Sequence, residues 1–402
     1  MKNMRVRLIG AVLFICFAAL GSASAQFRDD FNGPSLRIDP EGVTGWGFAT
    51  GEGKAVMDLK QGDGCAVVTV DSTADRRDVW WALIVHRVSD GMDLGLLKKP
   101  DHALRVEARI RVSQAPRRVN LSLNTQRTTD FHSHLMEFDI ADTESWHVIS
   151  MTTRGFDAGP GDVVNAQMAL MDWGLGKYRV DVDYFKVDII DVATAHPDKG
   201  DAVPYHPPVA DPATFAHVIP VAQDAMLDLD DPDSNLNDWV IRDGKDEARI
   251  VTVSGTQFVI LRWDLASFAG KRVAGHGLLE LTTRSVARTA DKRPDFGEVR
   301  VVEILGGDPL WDQRKVTLTS FLRGAPLTEA LNTQMIIDYP VADGDGGKTY
   351  LTISKYVLQR LLDGKTLGIA IRALGALDAS FYASEEKGGK FAPRLRFDLK
   401  ER

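Results

Sequence analysis

The sequence predicts an almost all-β protein made of two β-sandwich or jelly-roll domains. Most of the chain reads as short alternating or apolar runs interrupted by Gly, Asp, Asn and Pro, and helical periodicity is nearly absent. Such runs, rich in β-branched and aromatic residues, are typical of strands. The clearest are RVEARIRV, RVNLSLN, HLMEFDI, VVNAQMALM and YRVDVDYFKVDII. One helix is expected in KYVLQRLLDGK, where the leucines and valine are spaced for one buried face.

Residues 1–25 have the three parts of a secretory signal. A basic start at residues 2–7 precedes an apolar run at residues 8–20, and small residues end the segment at Ala25. We expect cleavage before Gln26 and a secreted or periplasmic mature chain without a membrane span. The alternative is a retained anchor, but the apolar run is shorter than the roughly 20 residues that cross a bilayer.

Cysteine usage and charge argue against several classes of protein. Cys16 lies in the predicted signal, so the mature chain has one thiol, Cys65, and no intrachain disulfide. Cys65 sits in the apolar run CAVVTV, where a buried structural thiol is expected. The formal net charge is -8, which argues against nucleic-acid binding because that binding is driven by a basic surface. An acidic polysaccharide stays a candidate partner, since a local arginine cluster can serve one groove.

A proline-rich stretch divides the mature chain into two parts. Residues 193–215 contain five prolines spread along their length, and proline cannot donate to a sheet ladder. We therefore expect an extended and fairly stiff linker. The first domain then covers residues 26–192 and the second covers residues 216–402, each within the common size range of a single sandwich.

The second domain carries an ordered series of short motifs along nearly its whole length. They are Asp224-Ala225, Asn235, Arg262-Trp263-Asp264-Leu265, Leu278 to Leu281, Trp311, Val357, Ser384 with Glu386, and Pro393-Arg394-Leu395. In this order they resemble the disaggregatase-related domains named DNRLRE, which overlap carbohydrate-binding module family 96. Two features depart from that pattern: a glycine is missing after the Asn turn, and Thr352-Ile353-Ser354 replaces Asp-Val-Thr before the helix.

The resemblance implies a jelly roll that binds polysaccharide, with alginate-like chains among the ligands of the family. A rigid spacer or a packing partner is the alternative, because a fold alone does not confer function. The acidic turn DLDDPDSN at residues 228–235 offers the oxygen ligands that a structural Ca²⁺ prefers, although a solvated acidic turn is the more common explanation. No other cofactor is expected.

The first domain looks like a sugar-binding or lyase-type β-sandwich. It opens FRDDFNGPSL and continues through GWGF, a start shared by concanavalin-like and galactose-binding-like domains. In RVNLSLNTQ, strand alternation places Val119, Leu121 and Leu123 on one side, and a row of polar groups on the other. That row is Asn120, Ser122, Asn124 and Gln126, and VVNAQMALMDW repeats it with Asn165 and Gln167. Amides in rows suit sugar hydroxyls or carboxylates, and an ordinary solvated face is the alternative.

The stretch QRTTDFHSHLMEFDI is the densest group of polar residues in the chain. His132 and His134 share one side of it if the residues alternate, whereas Glu137 and Asp139 face the other side. Two histidines at this spacing could bind a metal ion, but the site would need a third or fourth ligand that the sequence does not identify. They also suit proton transfer near neutral pH, and structural histidines bonded to loop carbonyls are a third interpretation.

Uronate chemistry gives a catalytic hypothesis for the first domain. A polysaccharide lyase neutralises the sugar carboxylate, removes the C5 proton and donates a proton to the leaving oxygen. Jelly-roll lyases are similar in drawing Asn or Gln, Arg, His and Tyr from neighbouring strands of a concave sheet. We therefore predict a lyase of alginate-like chains that acts by β-elimination, with His134 as base, Tyr178 as acid, and Arg127 with Gln167 on the carboxylate. The predicted substrate-binding residues are Asn124, Gln126, His132, Asn165 and Trp173.

Two alternatives remain beside the lyase. A glycoside hydrolase needs two carboxylates on opposite sides of the scissile bond. Glu137 and Asp139 are too near in sequence for that, and Asp172 with Glu137 would work only if their strands are adjacent. A non-catalytic carbohydrate-binding protein needs only the amides and tryptophans that stack on sugar rings. The partner is a polysaccharide in each case.

Overall fold

The computed structural model describes residues 26–51, 54–74, 82–170, 176–205, 207–237, 240–243, 246–288 and 297–401. The strands of this part of the chain form four sheets, and each sheet draws its strands from one half of the chain. The predicted fold class, two β-sandwiches in one chain, is therefore confirmed. We call the two units the first and the second sandwich.

The first sandwich is built from the strands between Phe27 and Val203. In chain order they are β1 (Phe27–Asp29), β2 (Gly47–Thr50), β3 (Val56–Gln61), β4 (Ala66–Asp71), β5 (Ala82–Arg87), β6 (His102–Val112), β7 (Arg117–Thr125), β8 (Leu135–Ile140), β9 (His147–Thr153), β10 (Val164–Leu170), β11 (Lys177–Asp191) and β12 (Ala202–Val203). One sheet has the order β3-β4-β11-β6-β9, with β1 also paired to β11, and the other has the order β12-β8-β7-β10-β5-β2.

Alternating apolar side chains from both sheets form the core of the first sandwich. Trp46, Phe138 and Phe185 are among its largest fully buried side chains. The Trp46 ring lies edge-on to Phe185, with ring centroids 5.2 Å apart. Its indole Nε1 donates a hydrogen bond to Asp29 Oδ2 at 2.8 Å, so the one polar atom of this core ring is satisfied. Cys65 is a free, buried thiol, as expected.

The second sandwich contains the strands between His217 and Phe397. They are β13 (His217–Pro220), β14 (Gln223–Asp228), β15 (Val240–Asp243), β16 (Asp246–Val253), β17 (Gln257–Arg262), β18 (Gly277–Arg288), β19 (Glu298–Ile304), β20 (Leu331–Pro340), β21 (Lys348–Ile353), β22 (Gly368–Leu374), β23 (Leu377–Tyr382) and β24 (Arg394–Phe397). Its larger sheet has the order β13-β24-β18-β23-β16-β15, with β21 also paired to β18. The smaller one has the order β14-β17-β22-β19-β20.

The predicted helix is present in the second sandwich. The α-helices are α1 (Leu318–Leu322), α2 (Leu327–Ala330) and α3 (Lys355–Leu362), and short 3-10 helices cover Leu94–Lys98, Pro212–Thr214, Ala266–Phe268 and Glu386–Gly389. The Ser354 side chain caps α3 by accepting a hydrogen bond from Val357 N. In α3, Val357, Leu358 and Leu361 are buried, which is the apolar face that the sequence spacing predicts. No helix in the described ranges is both long and apolar enough to cross a membrane.

The proline-rich stretch is not a free linker along its whole length, and this corrects the predicted boundary at residue 192. Its strand β12 pairs with β8, with Ala202 opposite Phe138. Before that, the Ser150 amide donates to the Lys199 carbonyl at 3.0 Å. Gly200 has a φ of +92°, and a Cβ there would lie 2.9 Å from Ile149 Cγ2. The chain therefore stays packed on the first sandwich as far as Val203.

Candidate functional site

The outer side of the β8-β7-β10-β5 part of the first sandwich carries the polar residues that the sequence analysis singled out. In β7, Val119, Leu121 and Leu123 enter the core, as predicted, so the residues between them face outward. The same alternation turns Phe138 and Ile140 of β8 inward. We call the outer side of these strands the polar face. Its polar residues are Arg87, Arg118, Asn120, Ser122, Asn124, Glu137, Asp139, Asn165 and Gln167.

Strand register arranges the polar face in four rows that cross the strands. Each row joins residues that lie opposite one another on neighbouring strands. The upper rows are Arg87-Asn165-Asn124 and Val85-Gln167-Ser122-Leu135, and the lower rows are Leu83-Ala169-Asn120-Glu137 and Arg118-Asp139.

The upper rows hold amides that are partly bonded to one another. Asn165 Nδ2 donates to Asn124 Oδ1 at 3.5 Å, and Ser122 Oγ donates to Gln167 Oε1 at 3.2 Å. Asn165 and Gln167 are half-buried, whereas Asn124 is 5% exposed and its Nδ2 has no hydrogen-bond partner in the part of the chain that the structure describes. An amide offers two donors and an acceptor. These rows therefore retain donors and acceptors for a polar ligand.

The lower rows are covered and contain ion pairs. Arg118 Nη1 lies 3.3 Å from Glu137 Oε2, and its Nε lies 3.5 Å from Asp139 Oδ1. Arg360 of the second sandwich also reaches Asp139, with Nη1 and Nη2 at 2.5 and 3.0 Å from the two carboxylate oxygens. The Asp139 side chain is 2% exposed. As predicted, Glu137 and Asp139 share one side, but that side is closed.

This arrangement argues against the hydrolase pairings. Because Glu137 and Asp139 are buried and share one guanidinium, neither is placed to protonate a glycosidic oxygen in an open groove. Asp172, the other carboxylate considered for this role, lies outside the described residues.

His134 does not lie on the polar face. The Leu123 amide donates to the His134 carbonyl at 3.1 Å, so His134 stands opposite an inward-facing residue. Its imidazole contacts the other sheet, where Nδ1 is hydrogen-bonded to Thr153 Oγ1, and it lies edge-on to Phe156 with ring centroids 4.9 Å apart. Burial lowers the pKa of His134, although the charge of Asp130 opposes this effect. The imidazole is therefore neutral near pH 7.

Arg127 and His134 do share a cavity, at one end of the first sandwich. Its volume is about 200 Å³, and its lining includes Arg127, Asp130, Ser133, His134, Phe156 and Asp157. Arg127 is engaged there, with Nη1 2.8 Å from Asp162 Oδ1 and Nη2 2.9 Å from the Asp157 carbonyl oxygen. Gln126 also binds Asp162, through Nε2 at 2.7 Å. These side chains hold the loop at residues 157–162 against the end of β7.

Tyr178 lies in the opposite sheet, and the expectation that it joins His134 and Gln167 is wrong. It belongs to β11, which pairs with β4 and β6. Its side chain is 4% exposed, packs in the core, and lies under the Arg117 guanidinium, 3.4 Å from the ring centroid. A buried tyrosine on the far sheet is not placed to donate a proton on the polar face.

The remaining predicted residues are dispersed. His132 stacks on Tyr205 at 4.4 Å between ring centroids, in the segment that leads to the second sandwich. Trp173 lies outside the described residues. Among the described residues, no group of three or more His, Cys, Asp or Glu could hold a metal ion. The calcium site suggested for residues 228–235 stays a prediction.

Three arginines on or beside this face were missed in the sequence analysis: Arg87, Arg118 and Arg360. Arg87 ends the first upper row, opposite Asn165, and its Nη2 lies 3.0 Å from Asp90 Oδ1. Its position in the alternating run ALIVHR could have indicated an outward side chain. Arg360 comes from α3, more than 200 residues from its partner Asp139. No local pattern signals such a contact.

Solved structures that are similar to this chain include carbohydrate-binding modules. One, described as CBM4 structure and function, has 16% identity and a TM-score of 0.31 over 40% of this chain and 97% of that chain. A family 11 carbohydrate-binding module from Clostridium thermocellum, in complex with a β-1,3-1,4-mixed-linked tetrasaccharide, has 16% identity and a TM-score of 0.25 over 38% and 94%. The CBM22-1 xylan-binding domain from Paenibacillus barcinonensis Xyn10C has 10% identity and a TM-score of 0.25 over 42% and 95%.

At this level of similarity, the matches say nothing about which residues of this chain form a site. No protein-family model matches the sequence, and no curated protein matches it. The resemblance of residues 216–402 to the DNRLRE domains therefore stays a prediction.

Proposed function

We propose that this protein binds a polysaccharide on the upper rows of the polar face and does so without catalysis. The observation that carries the proposal is the register of the amides, Asn124 opposite Asn165 and Ser122 opposite Gln167. Each pair places donors and acceptors at fixed positions on neighbouring strands. Sugar hydroxyls, which both donate and accept, match such pairs.

Apolar side chains beside the amides support the same ligand class. Val85 lies opposite Gln167, and Leu83 lies opposite Ala169 one row below. Both are half-buried in the structure. A sugar ring presents C–H groups as well as hydroxyls, so a mixed surface of this kind suits it better than a fully charged one.

The geometry supports a binding protein over the predicted lyase. Proton abstraction and proton donation must act on one sugar residue, so base and acid have to open into one groove. His134 faces the interior at one end of the sandwich, and Tyr178 packs in the core from the other sheet. Gln167 alone of the four predicted catalytic residues lies on the polar face.

An acidic ligand and an extracellular location also belong to the proposal. Arg87, half-buried at the end of the first upper row, would be the group that binds a uronate carboxylate. A secreted or periplasmic location follows from the signal-like segment at residues 1–25. It would bring the polar face to polysaccharides outside the cytoplasm.

Affinity electrophoresis of the mature protein tests this proposal. Gels would contain alginate, polygalacturonate, xylan or mixed-linked β-glucan, and a gel without polysaccharide serves as control. We expect retardation by at least one of them. In parallel, the ultraviolet absorbance of unsaturated uronate would be followed with the two acidic substrates, and we expect no increase. Retardation by none of them would contradict the proposal. An increase in absorbance would instead support the predicted lyase activity.

A further inference from the structure

The second sandwich is joined to the polar face by a buried ion cluster. Arg360, on α3, binds Asp139 of β8 through both Nη atoms. It also binds Glu303 of β19, with Nε at 2.9 Å from Oε1 and Nη2 at 3.0 Å from Oε2. One guanidinium therefore links a carboxylate of the first sandwich to a carboxylate of the second.

Further contacts beside this cluster are also polar. Arg118 Nη2 lies 3.3 Å from Ser354 Oγ, the residue that caps α3. Asn332 Nδ2 lies 3.3 Å from the Pro116 carbonyl oxygen, just before β7. Contacts within one chain that rest on polar groups resemble transient interfaces, and relative motion of the joined units is the usual expectation.

The region covered in this way continues the proposed ligand-binding rows. Along β7, the outward residues are Asn124, Ser122, Asn120 and Arg118, so the polar character runs without a break from the upper to the lower rows. Asn120 is 0% exposed, and among the described residues neither its Nδ2 nor its Oδ1 has a hydrogen-bond partner. A buried amide without partners is unfavourable, because both atoms have lost the hydrogen bonds that water would provide.

The covering contact is therefore poorly optimised for permanent closure. A buried ion pair gains little over its hydration in the separated state. In an open state Arg360 would keep Glu303 as its partner, and Asp139 would return to water beside Arg118. When the sandwiches separate, each charged group thus keeps another ion-pair partner, and Asp139 also regains its hydration.

We propose that the second sandwich is an autoinhibitory lid, held on the lower rows of the polar face by the Arg360–Asp139 pair, and that a polysaccharide competes with it for these rows. The inference rests on the proposed binding function. A glycan chain would offer its hydroxyls to Arg118 and Asp139 in place of the second sandwich. Apparent affinity is then reduced by the fraction of molecules that are closed.

Asp139→Asn is the variant that tests the lid, because it removes the charge on the first sandwich and leaves Arg360 with Glu303. The matched control is Asp183→Asn, which removes a carboxylate that pairs with Arg109 at 2.9 Å on the other sheet. The whole mature chain would be measured for radius of gyration by small-angle X-ray scattering, and for affinity by titration with the polysaccharide that retards the wild type. If none retards it, alginate is the probe.

We expect a larger radius of gyration and a dissociation constant lower by about threefold or more in Asp139→Asn, with neither change in the control. Asn332→Ala, which removes the Nδ2 contacts with the Pro116 carbonyl and with Glu303, should shift both quantities in the same direction. It is the second test of the lid in case the first variant misfolds. An unchanged radius in both variants would overturn the lid. A larger radius with unchanged or weaker binding would overturn autoinhibition while leaving the binding function intact. Absence of binding by wild type and opened variants alike would refute the binding function, and the lid with it.

Discussion

Arg360 and Asp139 form a bidentate ion pair between the two sandwiches, although 221 residues separate them in the chain. Burial lowers the pKa of Arg360, but the hydrogen bonds to Asp139 and the charge of Glu303 outweigh it, and the net pKa is raised. The guanidinium is thus charged at every accessible pH. Whether the sandwiches stay together depends on the carboxylates that surround it.

Replacing Arg360 with Met should therefore destabilise the protein. The change leaves the buried Glu303 without the guanidinium that binds both of its oxygens, and removing one partner of a buried pair costs about 3–5 kcal/mol. Urea unfolding of the mature chain would measure the loss of free energy of unfolding. Lys355→Met, an exposed position on the same helix, is the control and should change it by less than about 0.5 kcal/mol. Equal stability of the two variants would contradict the role given to Arg360.

Asp224 should make the second sandwich less stable as the pH rises. Burial, aided by the charge of Glu385 and opposed by hydrogen bonds from Ser384, raises the pKa of this carboxyl to about 6 from an ordinary value of 3.8. The raised pKa means that the stabilising contribution of the protonated form is complete below about pH 4 and is lost as the pH rises through about 6. A difference of this size corresponds to about 3 kcal/mol.

Thermal or urea unfolding of wild type and Asp224→Asn between about pH 4 and about pH 7.5 would measure this effect. The wild type should lose stability relative to the variant as the pH increases. Asp230→Asn, at an exposed position in the acidic turn, is the matched control and should run parallel to the wild type. A difference between wild type and Asp224→Asn that does not change with pH would contradict the assignment.

His134 should titrate below the ordinary histidine value of 6.5. Its imidazole is partly buried between Thr153 and Phe156, and burial disfavours the charged form. Because the folded pKa is lowered, the neutral imidazole stabilises the fold above the unfolded value, and this contribution is lost as the pH falls. Nuclear magnetic resonance of the imidazole protons would report the pKa. A value at or above 6.5 would show that the ring is solvated or paired with a carboxylate.

Trp46→Phe should destabilise the first sandwich by about 1–3 kcal/mol, because Asp29 loses the donor that satisfies it and the core loses part of a ring. Trp146→Phe is the comparison. Trp146 is half-buried on the outside of the other sheet, where Arg109 and Arg111 lie over its ring. Replacement of Trp146 should therefore lower the free energy of unfolding by less than replacement of Trp46. The reverse order of stability would contradict the placement of Trp46 in the core.

Local sequence patterns predicted the strands and the faces of individual strands, but not how the faces combine. Alternation in RVNLSLNTQ correctly separated Leu121 from Asn120, and the spacing in KYVLQRLLDGK correctly predicted α3. Both depend only on neighbouring residues. Which strands pair is decided over long sequence distances, so Tyr178 could not be assigned to its sheet from its own neighbourhood.

The same limit explains why the polar face was predicted as open. An Asn and Ser row on an outward strand face signals contact with polar groups, but the sequence does not say whether these are water, a ligand or another part of the chain. Here Arg360 and Ser354 occupy the lower end, beside Arg118 and Asp139. The proline-rich stretch was likewise predicted as a linker because prolines disfavour sheets. Its short strand at Ala202 and Val203 lies between the prolines, however, and pairs with β8.

Calorimetric titration of the Asn165→Ala/Gln167→Ala variant with a polysaccharide that retards the wild type in the gel tests the central claim most directly. We predict that its dissociation constant is at least about tenfold higher than that of the wild type, since a tenfold change needs only about 1.4 kcal/mol and two amides are removed. Gln257→Ala, which removes an amide of the second sandwich bonded to Asp228, should bind like the wild type. Equal affinity of the wild type and the double variant would contradict the claim that the polar face is the binding site.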